Sequence, residues 1–155
     1  ALMRISRSGK FFASRGDDSG THNKELALWP SAAIDPSEAS GGWYRETGSG
    51  MGATLNVAVG MSAYCLTDRA TWISFANKQD FSVLYEDDPL LFNQYGIILV
   101  DAEKHPHVNA KAGQIFIDWM IGKAGQTAIA NFRRSGQQLF FPNASPSADV
   151  SASEQ

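Results

Sequence analysis

The chain has 155 residues, of which 43% are hydrophobic and 19% charged, so its composition is typical of a folded domain and excludes a chain that is disordered throughout. With 13 basic and 16 acidic residues and a net charge of −3, it lacks the basic excess that marks a nucleic-acid-binding surface. The single cysteine, Cys65, excludes an intrachain disulfide and a cysteine-based metal site. Its apolar neighbours predict a buried structural thiol.

Signals for strands and helices alternate in the first part of the chain. A helix is expected to end near residues 1–5, and the helix at 21–29 has Asp18 or Ser19 near its N-cap and Pro30 after its end. Glycine, proline and serine predict a loop over 30–42. The remaining predictions here are a strand at 11–14, one or two helical turns at 43–47, a helix at 53–59 and a strand at 63–66.

The second part continues the alternation. A helix begins at residues 67–69 and runs to about 76, and an acidic turn at 86–89 separates two strands. The predicted elements are strands at 81–85, 96–100 and 139–141 and helices at 106–122 and 124–132. Alternating strands and helices predict the α/β class, in which sites lie beyond the carboxyl ends of the strands. Three junctions fit that position, at residues 14–21, 48–52 and 67–69, although no strand is predicted directly before the second.

The first junction has the residue types of an anion site. Free N–H groups at a helix N-terminus favour negative charge, and glycines let the backbone approach a ligand closely. Arg15 adds a forked, permanently charged donor that suits oxyanions. Hydroxyl donors come from Ser14, Ser19 and Thr21. The alternative is an ordinary capped helix with Arg15 in a surface ion pair, and the stretch alone does not separate the two.

The other two junctions carry weaker signals. Gly50, Met51 and Gly52 offer backbone amides at a helix start, but a flexible loop explains the same residues. Asp68 and Arg69 begin another helix, and a capped helix with a surface ion pair explains them as well. His105 and His107 flank a proline beside Asp101, without the further ligands that a metal site needs. No metal site is therefore predicted.

The three junctions together resemble a known family. Residues 14–22 (SRGDDSGTH), 43–55 (WYRETGSGMGATL) and 66–71 (LTDRAT) resemble the signature blocks of the tungstate-binding, TupA-type solute receptors of ABC transporters, in the same order and at similar spacing. Residues 92–96 (FNQYG) and 116–119 (FIDW) resemble the C-terminal part of that family. The resemblance covers about residues 1–143.

The resemblance implies a periplasmic-binding-protein type II architecture, in which two lobes close on a ligand. It assigns residues 1–90 to most of the second lobe and 91–142 to the segment that returns to the first lobe. Residues 143–155 are expected to form a disordered tail. The N-terminal part of the family, with its Thr/Ser-rich ligand loop, has no counterpart here. Without that part, the helix around 115–120 should expose a large apolar patch or borrow a partner chain.

The resemblance also implies a ligand and its contacts. The ligand is a tetrahedral oxyanion, tungstate or molybdate, and neither a cofactor nor a catalytic residue is implied. Arg15 is the expected charged contact and Arg69 a weaker candidate. The other implied ligand-binding residues are Ser14, Ser19, Thr21, Gly50, Met51 and Gly52. The implied partners are the oxyanion, the membrane permease of an ABC transporter and the missing N-terminal part, in a periplasmic or extracellular location.

Carboxylates would repel a fully deprotonated oxyanion, so Asp17, Asp18 and Asp68 are expected to support the site without touching the ligand. One of the first two is expected to cap the helix and the other to orient Arg15. Three alternatives remain open at this stage. They are a phosphate receptor, an enzyme that processes phosphate esters through Asp17 or Asp18, and a truncated interaction protein that does not transport.

Overall fold

A three-stranded parallel sheet forms the centre of the compact unit Ala1–Asn93 in the computed structural model, which describes residues 1–144. Its strands, in the spatial order β2-β1-β3, are β1 (Phe12–Ser14), β2 (Tyr44–Glu46) and β3 (Tyr64–Cys65). Phe12 lies opposite both Tyr44 and Tyr64 in the register. Because all three strands are parallel, their carboxyl ends lie along one edge of the sheet.

One helix precedes β1, and a longer or shorter helix follows each strand of this unit. They are α1 (Leu2–Ser6), α2 (Gly20–Leu28), α3 (Met51–Met61) and α4 (Arg69–Ser74), with short 3-10 helices at Trp29–Ala32, Pro36–Ala39 and Pro89–Leu91. The order β1-α2-β2-α3-β3-α4 confirms the predicted α/β class. The predicted helices at 21–29 and 53–59 are present with slightly different ends.

Both faces of β1 are buried, which holds the sheet in the middle of this unit. Phe12 packs on one face against Trp29 and Tyr44, with ring centroids 5.1 Å and 6.0 Å away. Ala13 points to the other face and packs with Ala58 of α3 and with Ala63. Successive residues of a strand point to opposite faces, so this short strand supplies both cores.

The compact unit that begins at Gln94 is mostly helical in its described part. It contains α5 (Ala110–Ile121), α6 (Lys123–Asn131) and a hairpin of β4 (Arg133–Arg134) and β5 (Gln137–Gln138). Ile115, Phe116 and Trp119 of α5 are 61%, 54% and 46% exposed, although α5 packs against α6. None of the helices within residues 1–144 has the length and hydropathy needed to span a bilayer.

Several local predictions are wrong. Residues 44–46 form β2, not a helical turn, because Tyr44 pairs with Phe12 and its ring is buried. The predicted strands at 81–85, 96–100 and 139–141 are not strands, because no neighbouring strand pairs with them in residues 1–144. The predicted tail lies outside the described residues from residue 145 onward.

Candidate functional site

The first and second junctions are joined at the carboxyl edge of the sheet. The backbone N–H of Thr47 donates to the Ser14 carbonyl at 2.9 Å, and that of Ser49 donates to the Arg15 carbonyl at 3.2 Å. The Thr47 hydroxyl also donates to the Arg15 carbonyl, at 3.3 Å. The second junction therefore follows a strand directly, contrary to the prediction, and lies beside the first.

Arg15 is held by Asp17 in this cluster. The Arg15 Nη2 lies 2.6 Å from Asp17 Oδ2, and the two side chains are only 18% and 21% exposed. The other oxygen of Asp17 accepts the backbone N–H of Ser19 at 3.3 Å. Hydrogen bonds from Ser19 and then Arg15 hold the pKa of Asp17 below its ordinary value. The Arg15 Nε is buried and has no hydrogen-bond partner in the part of the chain that the structure describes.

Asp18 neither caps a helix nor contacts Arg15. Its backbone is left-handed, with a φ of 56°, and its side chain is 99% exposed. The N-cap of α2 is Ser19, whose Oγ accepts the His22 N–H at 3.3 Å. The expectation that one aspartate caps this helix is therefore wrong. The Ser19 hydroxyl makes the capping hydrogen bond, and Asp17 accepts a hydrogen bond from the backbone N–H of Ser19.

The other two hydroxyl residues at the first junction differ in accessibility. Ser14 is completely buried, and its Oγ makes no hydrogen bond with the described residues. Thr21 is half-buried in the first turn of α2. Of the two, only Thr21 has solvent access to its side chain.

The second helix N-terminus has no side-chain cap. Gly50 is the N-cap of α3, so the first-turn amides of Met51 and Gly52 are not taken by a capping side chain. The Met51 side chain is buried, which leaves its backbone as the group that can reach a ligand. The Thr54 hydroxyl lies 2.8 Å from that of Thr47 and donates to the Ser49 carbonyl at 3.2 Å, fixing the loop before α3.

The third junction is an ordinary capped helix. Asp68 accepts the Thr71 N–H at 2.7 Å and the Thr71 hydroxyl at 2.6 Å. Arg69 is 44% exposed, and its Nη2 lies 2.7 Å from Glu86 Oε2. The predicted capped helix with a surface ion pair is therefore present, with Glu86 as the partner of the arginine.

Gly16 allows the first two junctions to approach each other. Its φ is 59°, and a Cβ added there would lie 2.8 Å from the Glu46 Cβ at the end of β2. Only a residue without a side chain fits both the left-handed conformation and this distance. The glycine that follows Arg15 is thus required by the geometry of the cluster.

A buried carboxylate ties α2 to β2 behind the cluster. Glu25 Oε1 accepts the Trp29 Nε1–H at 3.0 Å and the Tyr44 hydroxyl at 2.7 Å, and Glu25 is 3% exposed. Burial and the hydrogen bond to Glu25 raise the pKa of Tyr44. Sequence reasoning missed Glu25, Thr47 and Thr54, and the one available signal was the pairing of threonines on either side of the glycine-rich loop.

No group of three or more His, Cys, Asp or Glu residues within 1–144 is arranged to hold a metal ion. The donors that the cluster does gather are one guanidinium, hydroxyls and backbone amides at two helix starts. Such donors suit an oxyanion.

The sequence matches the family model described as a PBP superfamily domain over residues 3–124. The chain belongs to the PBP superfamily. This assignment confirms the fold that the three motifs implied.

The chain is also similar to proteins whose names or titles refer to tungstate. The chain is 41% identical over 146 residues to the tungstate-binding protein TupA of Peptoclostridium acidaminophilum, covering 93% of this chain and 50% of that protein. It is 38% identical, with a TM-score of 0.75, to the structure of the tungstate-binding protein TupA from Desulfovibrio alaskensis G20, covering 93% of this chain and 59% of that one. The structure of the tungstate ABC transporter from Geobacter sulfurreducens is 41% identical with a TM-score of 0.69, over 83% and 53%. The chain thus spans about half the length of these relatives.

Proposed function

We propose that this chain is part of an extracytoplasmic receptor that captures a tetrahedral oxyanion, tungstate or molybdate, for uptake by an ABC transporter. The observation that carries the proposal is the position of Arg15 between two helix starts. Its guanidinium is braced by Asp17, its Nε has no partner among the described residues, and its carbonyl anchors the loop before α3. The names of the relatives support the same ligand class.

The physical requirement is a large number of donors. A dianion loses its hydration when a site closes around it, so each oxygen needs several hydrogen bonds. A hydrogen bond to a charged group contributes about 1.5–3 kcal/mol net, so a handful of them is enough for tight binding. Arg15, the hydroxyl of Thr21 and the amides of Met51 and Gly52 are the donors that we assign to this role. Ser14 and Ser19 are assigned structural roles in the loop between β1 and α2. Ser14 is buried, and Ser19 caps α2.

Asp17 makes phosphate the less suitable ligand. Phosphate carries a proton near neutral pH, and a receptor that accepts this proton needs a free carboxylate oxygen directed at it. Both oxygens of Asp17 are engaged, one with Arg15 and one with Ser19. Tungstate, molybdate and sulfate have no such proton. The same engagement argues against Asp17 as the nucleophile of a phosphate-ester enzyme.

The remaining parts of the transport system belong to this proposal. Residues 1–90 would form most of one lobe and 91–142 the segment that completes the other, and the chain divides into compact units after Asn93, near that boundary. The other half of the binding-protein fold would cover the exposed apolar side chains of α5. A membrane permease would receive the ligand-bound receptor outside the cytoplasm.

A calorimetric titration with tungstate tests the proposal, with sulfate and then phosphate in excess as competitors. The protein is this chain joined to the residues by which the Desulfovibrio alaskensis relative exceeds it. Arg15→Ala should weaken tungstate binding by at least about tenfold, the lower value for one charge-assisted contact. Arg7→Ala, which changes the net charge equally at an exposed position, and Arg69→Ala, whose partner is Glu86, should stay within about twofold. Absence of tungstate binding, or a preference for phosphate, would contradict the proposal.

A further inference from the structure

The loop between β1 and α2 is held by a histidine that the proposed ligand set does not include. His22 is the third residue of α2, and its side chain is 8% exposed. Its Nδ1 accepts the backbone N–H of Asp18 at 3.1 Å, while its own backbone N–H donates to the Ser19 Oγ at 3.3 Å. This reciprocal pair resembles a capping box in which an imidazole replaces the usual Glu or Gln side chain and reaches one residue further back.

The peptide groups on both sides of Asp18 are fixed by α2. Besides the bond from its N–H to His22, the Asp18 carbonyl accepts the Asn23 Nδ2–H at 2.9 Å. Asp18 adopts a left-handed φ of 56°, a conformation that a non-glycine residue keeps only when its surroundings hold it. Release of its N–H therefore removes a restraint on a strained residue.

The geometry also assigns the protonation state of the ring. A backbone N–H can only donate, so Nδ1 carries no proton and the neutral ring has its proton on Nε2. Nε2 is buried and has no hydrogen-bond partner in the described residues. The Nδ1 side of the ring is therefore the side that holds the loop.

We propose that His22 is a positioning residue, whose Nδ1 holds the Asp18 amide and thereby fixes the loop in which Asp17 braces Arg15 for contact with an oxyanion. Asp17 and Ser19 directly flank Asp18, so rotation of the Asp18 backbone displaces the carboxylate that braces Arg15 and the cap of α2. This inference rests on the proposed oxyanion-binding function for its affinity readout, whereas the loop geometry is testable without a ligand.

Two amide substitutions separate the two ring nitrogens. Asn carries an oxygen where Nδ1 stands, so His22→Asn keeps an acceptor for the Asp18 N–H, whereas His22→Gln places its polar atoms near the position of Nε2 and His22→Leu keeps neither. His107→Gln, at an exposed histidine, is the matched control. The variants are made in the joined protein used above, and tungstate affinity is measured by calorimetry beside the urea midpoint of unfolding.

We expect His22→Asn to bind tungstate within about twofold of the wild type and His22→Gln and His22→Leu to bind about five- to tenfold more weakly, the loss expected for one restraining hydrogen bond. A purely structural role would shift the urea midpoint and leave the affinity of the folded protein unchanged. Equal affinity in all three variants, or retention by Gln and loss by Asn, would overturn the inference.

Hydrogen exchange of the Asp18 amide in the ligand-free protein gives the second measurement. This amide should be protected in the wild type and in His22→Asn and should exchange faster in His22→Leu, and nitrogen NMR should find the His22 proton on Nε2. Fast exchange in the wild type would refute the inference even if tungstate binds. If tungstate does not bind while the amide is protected as expected, the proposed function is wrong, but the hydrogen bond by which His22 holds the Asp18 amide is confirmed.

Discussion

Gly16→Ala tests the closeness of the first two junctions with a control built into the same chain. A Cβ at position 16 meets two penalties, a left-handed φ of 59° and a contact of 2.8 Å with the Glu46 Cβ. Gly48 has a φ of 60° but no heavy atom within 4 Å of an added Cβ. Gly48→Ala therefore measures the cost of the backbone conformation alone.

The magnitudes follow from these two terms. A left-handed non-glycine residue costs about 1–2 kcal/mol. Overpacking against a buried or constrained neighbour costs about 1–3 kcal/mol more, because a Cβ on a strand is not the far end of a flexible side chain. Gly48→Ala should lower the free energy of unfolding by about 1–2 kcal/mol, and Gly16→Ala by about 2–5 kcal/mol in total.

Urea unfolding followed by tryptophan fluorescence measures both changes. The contact with Glu46 is isolated by repeating Gly16→Ala in a Glu46→Gly background, where the opposing Cβ is absent and the cost should fall to that of Gly48→Ala. Equal costs for the two alanine variants in the unmodified chain would refute the reasoning, because the approach of the two junctions would then not depend on the missing side chain.

Three further predictions concern the buried Tyr44 and the partly buried Cys65. Tyr44→Phe removes a hydrogen bond to the buried Glu25 and should lower the free energy of unfolding, measured in urea, by about 1.5–3 kcal/mol. The control is Tyr64→Phe, because the Tyr64 hydroxyl makes no hydrogen bond within residues 1–144. This control should change the free energy of unfolding by less than half as much. The pKa of Tyr44 is raised from 10.0, so above that pH the unfolded chain loses the hydroxyl proton that the folded protein keeps. The free energy of unfolding therefore falls as the pH rises above about 10. Tyr44→Phe should flatten this alkaline decline, and an unchanged slope would contradict the reasoning. Burial, with a smaller effect of Glu25, raises the pKa of the Cys65 thiol to about 12. Alkylation of the folded protein at pH 8 should therefore be more than about a hundredfold slower than that of a free cysteine of ordinary pKa, and the ordinary rate should return in urea. Rapid labelling of the folded chain would refute this expectation.

The first junction could be predicted from the sequence because its signals are local. Arg15, two glycines and a run of capping residues lie within nine positions, and each has a chemical preference that needs no distant partner. The geometry adds what that pattern does not specify. Ser19 rather than an aspartate caps α2. Asp17 contacts Arg15 and accepts the backbone N–H of Ser19, whereas Asp18 takes neither of the two predicted roles.

The second junction was harder because its strand is only three residues long. Tyr44–Glu46 is too short for alternation to be recognised, and its identity depends on pairing with Phe12–Ser14, about thirty positions away in the chain. The reverse error at residues 96–100 has the same origin. An apolar, β-branched run favours a strand locally, but it becomes one only beside another strand.

The charges at the cluster bear on how an oxyanion would be selected. Arg15 and Asp17 form an ion pair without net charge, so a bound dianion is not neutralised by a counter-charge in this half of the proposed site. Besides the Arg15 guanidinium, its stabilisation then comes from oriented dipoles, the amides at the start of α3 and the hydroxyl and amide groups at the start of α2. Fixed dipoles discriminate by the position and number of oxygens more than by total charge. A loop that holds those dipoles in place, through Gly16 and the Asp18 peptide, is therefore as important to the proposed selectivity as the arginine itself.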